Sequence, residues 1–122
     1  MADRAESGAA IAEFALILPV LLLLLIGTGE FGRLIWTKSL LDHAVNETAR
    51  CASVNTTTCG TTDGARSYAV LRSAPLAVTN AIFAVTTATC GSQVTATYPF
   101  TFAAPSLLSY SITLVSQACF PK

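Results

Sequence analysis

The stretch Gly8-Ala-Ala-Ile-Ala-Glu13-Phe14-Ala-Leu-Ile-Leu-Pro19-Val-Leu-Leu-Leu-Leu-Leu-Ile26 decides how the rest of the chain is organised. From Ala15 to Ile26 every side chain is apolar, so a helix here is hydrophobic all round, as a membrane span is. The strictly uncharged part, Phe14 to Gly29, is 16 residues long and falls short of ~30 Å of hydrocarbon at ~1.5 Å rise per residue. Counting from Ala9 to Ile35 removes the shortfall and brings Glu13 and Glu30 near opposite interfaces, where a carboxylate reaches water. Pro19 removes one helical hydrogen bond and is expected to kink the span, which membrane helices tolerate.

Beyond the span the pattern turns amphipathic. From Glu30 onward Phe31, Leu34, Ile35, Leu41, Val45 and Ala49 are predicted as an apolar stripe, residues 36–50 extend the helix past the span, and Trp36 is predicted as an anchor at the membrane interface. Lys38 and Asp42 stand four apart on the solvated side. Charged residues are only 11% of the chain, seven of each sign, which leaves no net field to attract nucleic acid. Ser73 to Pro121 contains no Asp, Glu, Lys or Arg at all. Four cysteines, Cys51, Cys59, Cys90 and Cys119, all follow the apolar run, and this asymmetry points to an oxidising compartment on that side. About 75 residues after the anchor make a marginal core, for which disulfides are the usual supplement.

The remainder, 51–122, reads as a small extracytoplasmic disulfide-bonded domain. Ala52 to Thr62 is predicted as loop, and Asp63 as the cap of a short helix to Arg72 with Ala65, Tyr68, Ala69 and Leu71 on its apolar side. Strands are expected at Ala81 to Thr89, Gln93 to Phe102 and Leu107 to Ser116, with turns at Cys90-Gly-Ser92 and Ala103-Ala-Pro-Ser106. Four cysteines allow three pairings; in that hairpin positions summing to about 209 face each other, which favours Cys90 with Cys119 and Cys51 with Cys59 among them. The fold class is therefore α+β: a long N-terminal helix, then a short helix and a three-stranded antiparallel sheet.

Gly8, Glu13-Phe14 and the proline-bearing run, followed by Gly27-Thr-Gly-Glu-Phe-Gly-Arg33 and Ala44-Val-Asn-Glu-Thr-Ala-Arg50, resemble the TadE-like pseudopilins (minor pilins) of Tad, or Flp, type IV-like pilus systems. The resemblance covers roughly the first 50 residues. It implies a pilin-like fold and a class III leader, 1–8, cut by a prepilin peptidase between Gly8 and Ala9, followed by a transmembrane helix at 9–35. Glu13 and Phe14 would then be the residues recognised in processing and assembly. The implied role is assembly of a Tad pilus for surface adhesion and biofilm formation. The implied partners are the prepilin peptidase, the major Flp pilin, other pseudopilins, the pilus assembly platform and the membrane. A bland account of Glu13 places it at the interface near a helix N-terminus, where the dipole favours an anion. The alternative is that it pairs with the new amino group at Ala9 of a neighbouring subunit.

Positive residues flank both ends of the span, Arg4 before it and Arg33 and Lys38 after it, so charge alone does not orient it. The cysteines place the N-terminus in the cytoplasm and the domain outside, as in a single-pass inner-membrane protein. Enzymatic chemistry is not expected. Asp42 and His43 are adjacent and diverge on a helix, the cysteines form no Cys-x-x-Cys pair, and no phosphate-binding glycine motif is present. No cofactor or metal is expected. Two other functions fit less of the chain: a membrane-anchored or pilus-tip adhesin, suggested by the uncharged Thr-rich C-terminal half, and a secreted disulfide-bonded domain, which leaves Glu13 unexplained.

Overall fold

A computed structural model describes residues 2–103 and 110–122, with side chains described from Gly8 onward. The elements in chain order are α1 (Ala2–Val54), α2 (Thr56–Cys59), α3 (Thr62–Arg72), a 3-10 turn (Asn80–Ile82), β1 (Phe83–Ala88), β2 (Gly91–Thr101) and β3 (Ser111–Phe120). The fold is α+β, with a three-stranded antiparallel sheet in the order β1-β2-β3. The chain divides into two compact units, Met1–Arg33 and Leu34–Lys122.

The first unit is helix alone. α1 begins at Ala2, ahead of the expected Ala9, because Ala2, Arg4, Ala5 and Glu6 are good helix formers and no proline interrupts the leader. Its large apolar side chains have no cover: Phe14 is 62% exposed, Leu16 78% and Leu24 62%. Gly8–Val54 is a helix long and apolar enough to cross a membrane.

The second unit has a true core. Leu41, Ala44, Val45 and Ala49 of α1 pack with Ala69 of α3 and with Phe83, Val94, Ala96, Phe100 and Leu114 of the sheet. The buried stripe of α1 follows Leu34, Thr37, Leu41, Ala44, Val45 and Thr48, and it passes by two residues expected on it. Phe31 is 70% exposed and Ile35 63% exposed, because at ~100° per residue Ile35 lies about 120° round the helix from Leu41. Thr48 is fully buried yet satisfied, its hydroxyl donating to the Ala44 carbonyl at 2.7 Å. Among the described residues no buried side-chain nitrogen or oxygen lacks a hydrogen-bond partner. Trp36 is 64% exposed.

Local chemistry explains several departures from expectation. α1 continues to Val54, and the segment read as loop contains α2, whose first turn is capped by Asn55 accepting from the Thr58 amide at 3.1 Å. Thr61, rather than Asp63, caps α3, accepting from the Gly64 amide at 3.1 Å. Ala65 and Ala69 are buried, while Leu71 is 75% exposed and faces away from the core. The first hairpin turn is Thr89-Cys90, with Ala88 opposite Gly91. Gly91 holds a φ of +123°, and a Cβ there would collide with the Phe120 carbonyl, so only glycine fits.

β2 and β3 pair with Ser92 opposite Phe120 and Thr101 opposite Ser111, a register three residues away from the expected sum of 209. The connection after Thr101 is longer than four residues, and β3 runs on to Phe120, where Pro121 lacks the amide needed to continue. Most of the predicted turn at Ala103 to Ser106 and the predicted strand start at Leu107 lie outside the described residues. The bridges are Cys51–Cys59 and Cys90–Cys119. Cys119 stands opposite Gln93, so its bond to Cys90 crosses diagonally to the hairpin turn, over a Cα separation of 6.2 Å.

The bridges differ in reach, with sequence separations of 8 for Cys51–Cys59 and 29 for Cys90–Cys119. Loop-closure entropy then makes the longer one more stabilising by ~1 kcal/mol. In urea unfolding, the Cys90→Ser/Cys119→Ser double variant is expected to lose that much more stability than the Cys51→Ser/Cys59→Ser variant. An equal or reversed order would contradict it.

Candidate functional site

The motif residues Gly8, Ala9, Glu13, Phe14 and Pro19 all lie on α1 in the first unit. Ala9 and Glu13 are four apart and share one face of the helix. Both are exposed. At Gly8 an added Cβ would meet nothing within 4 Å, so the helix itself does not need glycine there. The same holds at Gly27, Gly29 and Gly32, where an added Cβ also meets open space.

The carboxylate at the far end of the span is handled within the chain. Glu30 accepts from the Arg33 guanidinium at 2.9 Å, and its side chain is only 13% exposed. Glu13 and Glu30 are 17 residues apart, about 26 Å along a helix. That spacing is close to the thickness of the hydrocarbon layer, so both carboxylates can sit at its borders.

In the second unit, Lys38 ties α1 to β3. Its ammonium donates to Asp42 at 2.6 Å and to the Ser116 hydroxyl at 2.9 Å. Burial pushes the Asp42 carboxyl up, but hydrogen bonds from Lys38 and Ser116 and the Lys38 charge outweigh it, and its pKa falls below the ordinary value. His43, beside Asp42 in the chain, is exposed. Among the described residues no group of three His, Cys, Asp or Glu side chains is placed to hold a metal ion.

One feature of the second unit has no counterpart in the expectations from sequence. A cavity of ≈ 400 Å³ opens where α1 ends, lined by Glu47, Arg50, Cys51, Val54, Asn55, Thr58, Tyr68 and Arg72. The Arg72 guanidinium lies over the Tyr68 ring, 4.9 Å from its centroid. The cavity depends on α2 folding back beside α1, and that short helix was hidden in a Thr-rich stretch. Asn55 followed three residues later by Thr58 was the signal that could have exposed it.

Residues 8–50, 43 of 122 and about a third of the chain, match the family model described as TadE-like protein. The match starts at Gly8 and ends at Arg50, the segment on which the resemblance was drawn. That family is associated with Tad pili and is a family of structural pilus components rather than of enzymes. No curated protein and no solved structure matches the chain.

The lowered Asp42 pKa carries a pH dependence of fixed sign. A carboxylate whose folded pKa is depressed adds stability above its unfolded value, and this is lost as pH falls through the folded pKa. The stability difference between the natural chain and Asp42→Asn is expected to be largest near neutrality. It should shrink on acidification below the ordinary carboxylate range, roughly pH 4. Thermal unfolding of both proteins across that range is the check, and a pH-independent difference would exclude the Lys38–Asp42 pair as its source.

Proposed function

We propose that this chain is a TadE-like pseudopilin, or minor pilin, that takes part in assembling a Tad-type pilus used for surface adhesion and biofilm formation. The observation that carries the reading is the family match over residues 8–50, which joins Gly8, Glu13-Phe14 and the apolar span in one segment. In this reading a prepilin peptidase cuts between Gly8 and Ala9 on the cytoplasmic side. The span holds the processed chain in the inner membrane with residues 51–122 outside, and the assembly platform then draws it against the major Flp pilin and other pseudopilins.

Two physical arguments support the reading. Glycine at position 8 has no steric role in the helix, as expected of a residue selected by an external active site that approaches the backbone closely. Cleavage also creates an amino group at Ala9 in the apolar region that already holds the exposed Glu13. Pairing the two charges between neighbouring subunits relieves two desolvation costs together. The work of the molecule is packing, and no catalytic group is required for it.

The test is intact mass and N-terminal sequencing of protein recovered from membranes. The natural chain is expected to begin at Ala9. Gly8→Val should remain membrane-bound and helical, because a Cβ there meets nothing within 4 Å, but keep its leader. Glu13→Gln should still be processed if Glu13 serves only assembly, and the sheared surface fraction should then lose the protein. A chain still starting at Met1 or Ala2 in the natural protein would exclude the pilin pathway.

A further inference from the structure

We infer that the cavity at the end of α1 binds a saccharide bearing a carboxylate, such as a uronic acid unit. At ≈ 400 Å³ it lies within the size range of small-ligand sites. Two arginines, Arg50 and Arg72, line it with a single carboxylate, Glu47, so its wall carries a net positive charge in a chain that is neutral overall. Among the described residues neither arginine forms an ion pair within 4.0 Å. A guanidinium presents parallel N–H donors that fit a carboxylate in two-point contact, and Arg72 is already held in place over Tyr68.

The other walls favour a sugar over an acidic peptide. Tyr68 offers aromatic surface, while Asn55 and Thr58 offer neutral polar groups of the kind that hydroxyls pair with. No strand edge lines the cavity to accept a peptide backbone, and only one aliphatic side chain is present to anchor one. The Cys51–Cys59 bridge fixes α2 to the end of α1, so the wall is formed before the ligand arrives. This inference rests on the adhesion part of the reading above and gives it a ligand. Binding by purified protein does not depend on cleavage after Gly8, so either can fail without the other.

The experiment is calorimetric titration of the full chain in neutral detergent with a galacturonic acid tetramer, a neutral galactose tetramer of equal length, and a glutamate-rich peptide. Saturable binding of the acidic tetramer alone is expected. Arg50→Gln and Arg72→Gln should each weaken it roughly tenfold or more, the loss of a hydrogen bond to a charged group. Glu47→Gln, which removes the opposing charge, should tighten it and guards against a variant that merely misfolds. Equal binding of the neutral tetramer, arginine variants that bind as the natural chain does, or tighter binding of the peptide would each overturn the assignment.

Discussion

Everything in this molecule depends on covering the bare apolar helix between Ile11 and Ile26. Twelve large apolar side chains there lie between 37% and 78% exposed. Removing such side chains from water is worth about 1.5–3 kcal/mol each, so the total is on the order of 20 kcal/mol. A carboxylate at the centre of a span costs only about 3 kcal/mol on insertion scales, and less near an interface. Burial of the apolar surface therefore outweighs Glu13 by a wide margin. In the proposed pathway lipid supplies the cover first, and neighbouring helices then replace it without exposing the surface to water.

The second unit solves a different problem, that of folding with few residues. α1 contributes a stripe from Leu34 to Ala49, the sheet contributes Phe83, Val94, Ala96 and Phe100, and α3 closes one side with Ala69. Phe100 and Phe102 meet edge to face, with ring centroids 5.4 Å apart. Two bridges restrain the ends of this small assembly, one beside α2 and one from the first hairpin turn to the final strand. Polar cross-links complete it: Arg66 donates to the Phe83 carbonyl at 3.0 Å, and Ser53 donates to the Phe120 carbonyl at 3.0 Å.

Long-period signals in the sequence translated well into structure, and short-range ones less so. The apolar run and the Leu41-Val45-Ala49 spacing made the long helix legible, because dozens of residues share one pattern. Strand existence was also readable from the Val, Thr and Phe content of 83–101. Register was not, since it depends on the length of the connection after Thr101, and a Pro-Ser turn there suggested too short a loop. Phe31 and Ile35 were assigned to the stripe by helical spacing, whereas Ile35 lies about 120° round the helix from Leu41 and Phe31 precedes the first residue of the second unit. The cavity around Arg50 escaped notice because it needs α2, and a four-residue helix in a run of threonines has no periodicity to betray it.

The proposed function requires the apolar helix to be covered by membrane and the disulfide-bonded unit to stand outside the cytoplasm. The native cysteines of the described residues are all bridged, so introduced thiols can be labelled without background. The most direct measurement is therefore labelling of Leu22→Cys and Ser39→Cys, and of Ala5→Cys combined with Gly8→Val so that the leader is retained, with a membrane-impermeant maleimide, on intact and on permeabilised cells. Ser39→Cys is expected to react in intact cells, the leader-retaining Ala5→Cys only after permeabilisation, and Leu22→Cys in neither. Reaction of Leu22→Cys in intact cells, or protection of Ser39→Cys there, would contradict this topology.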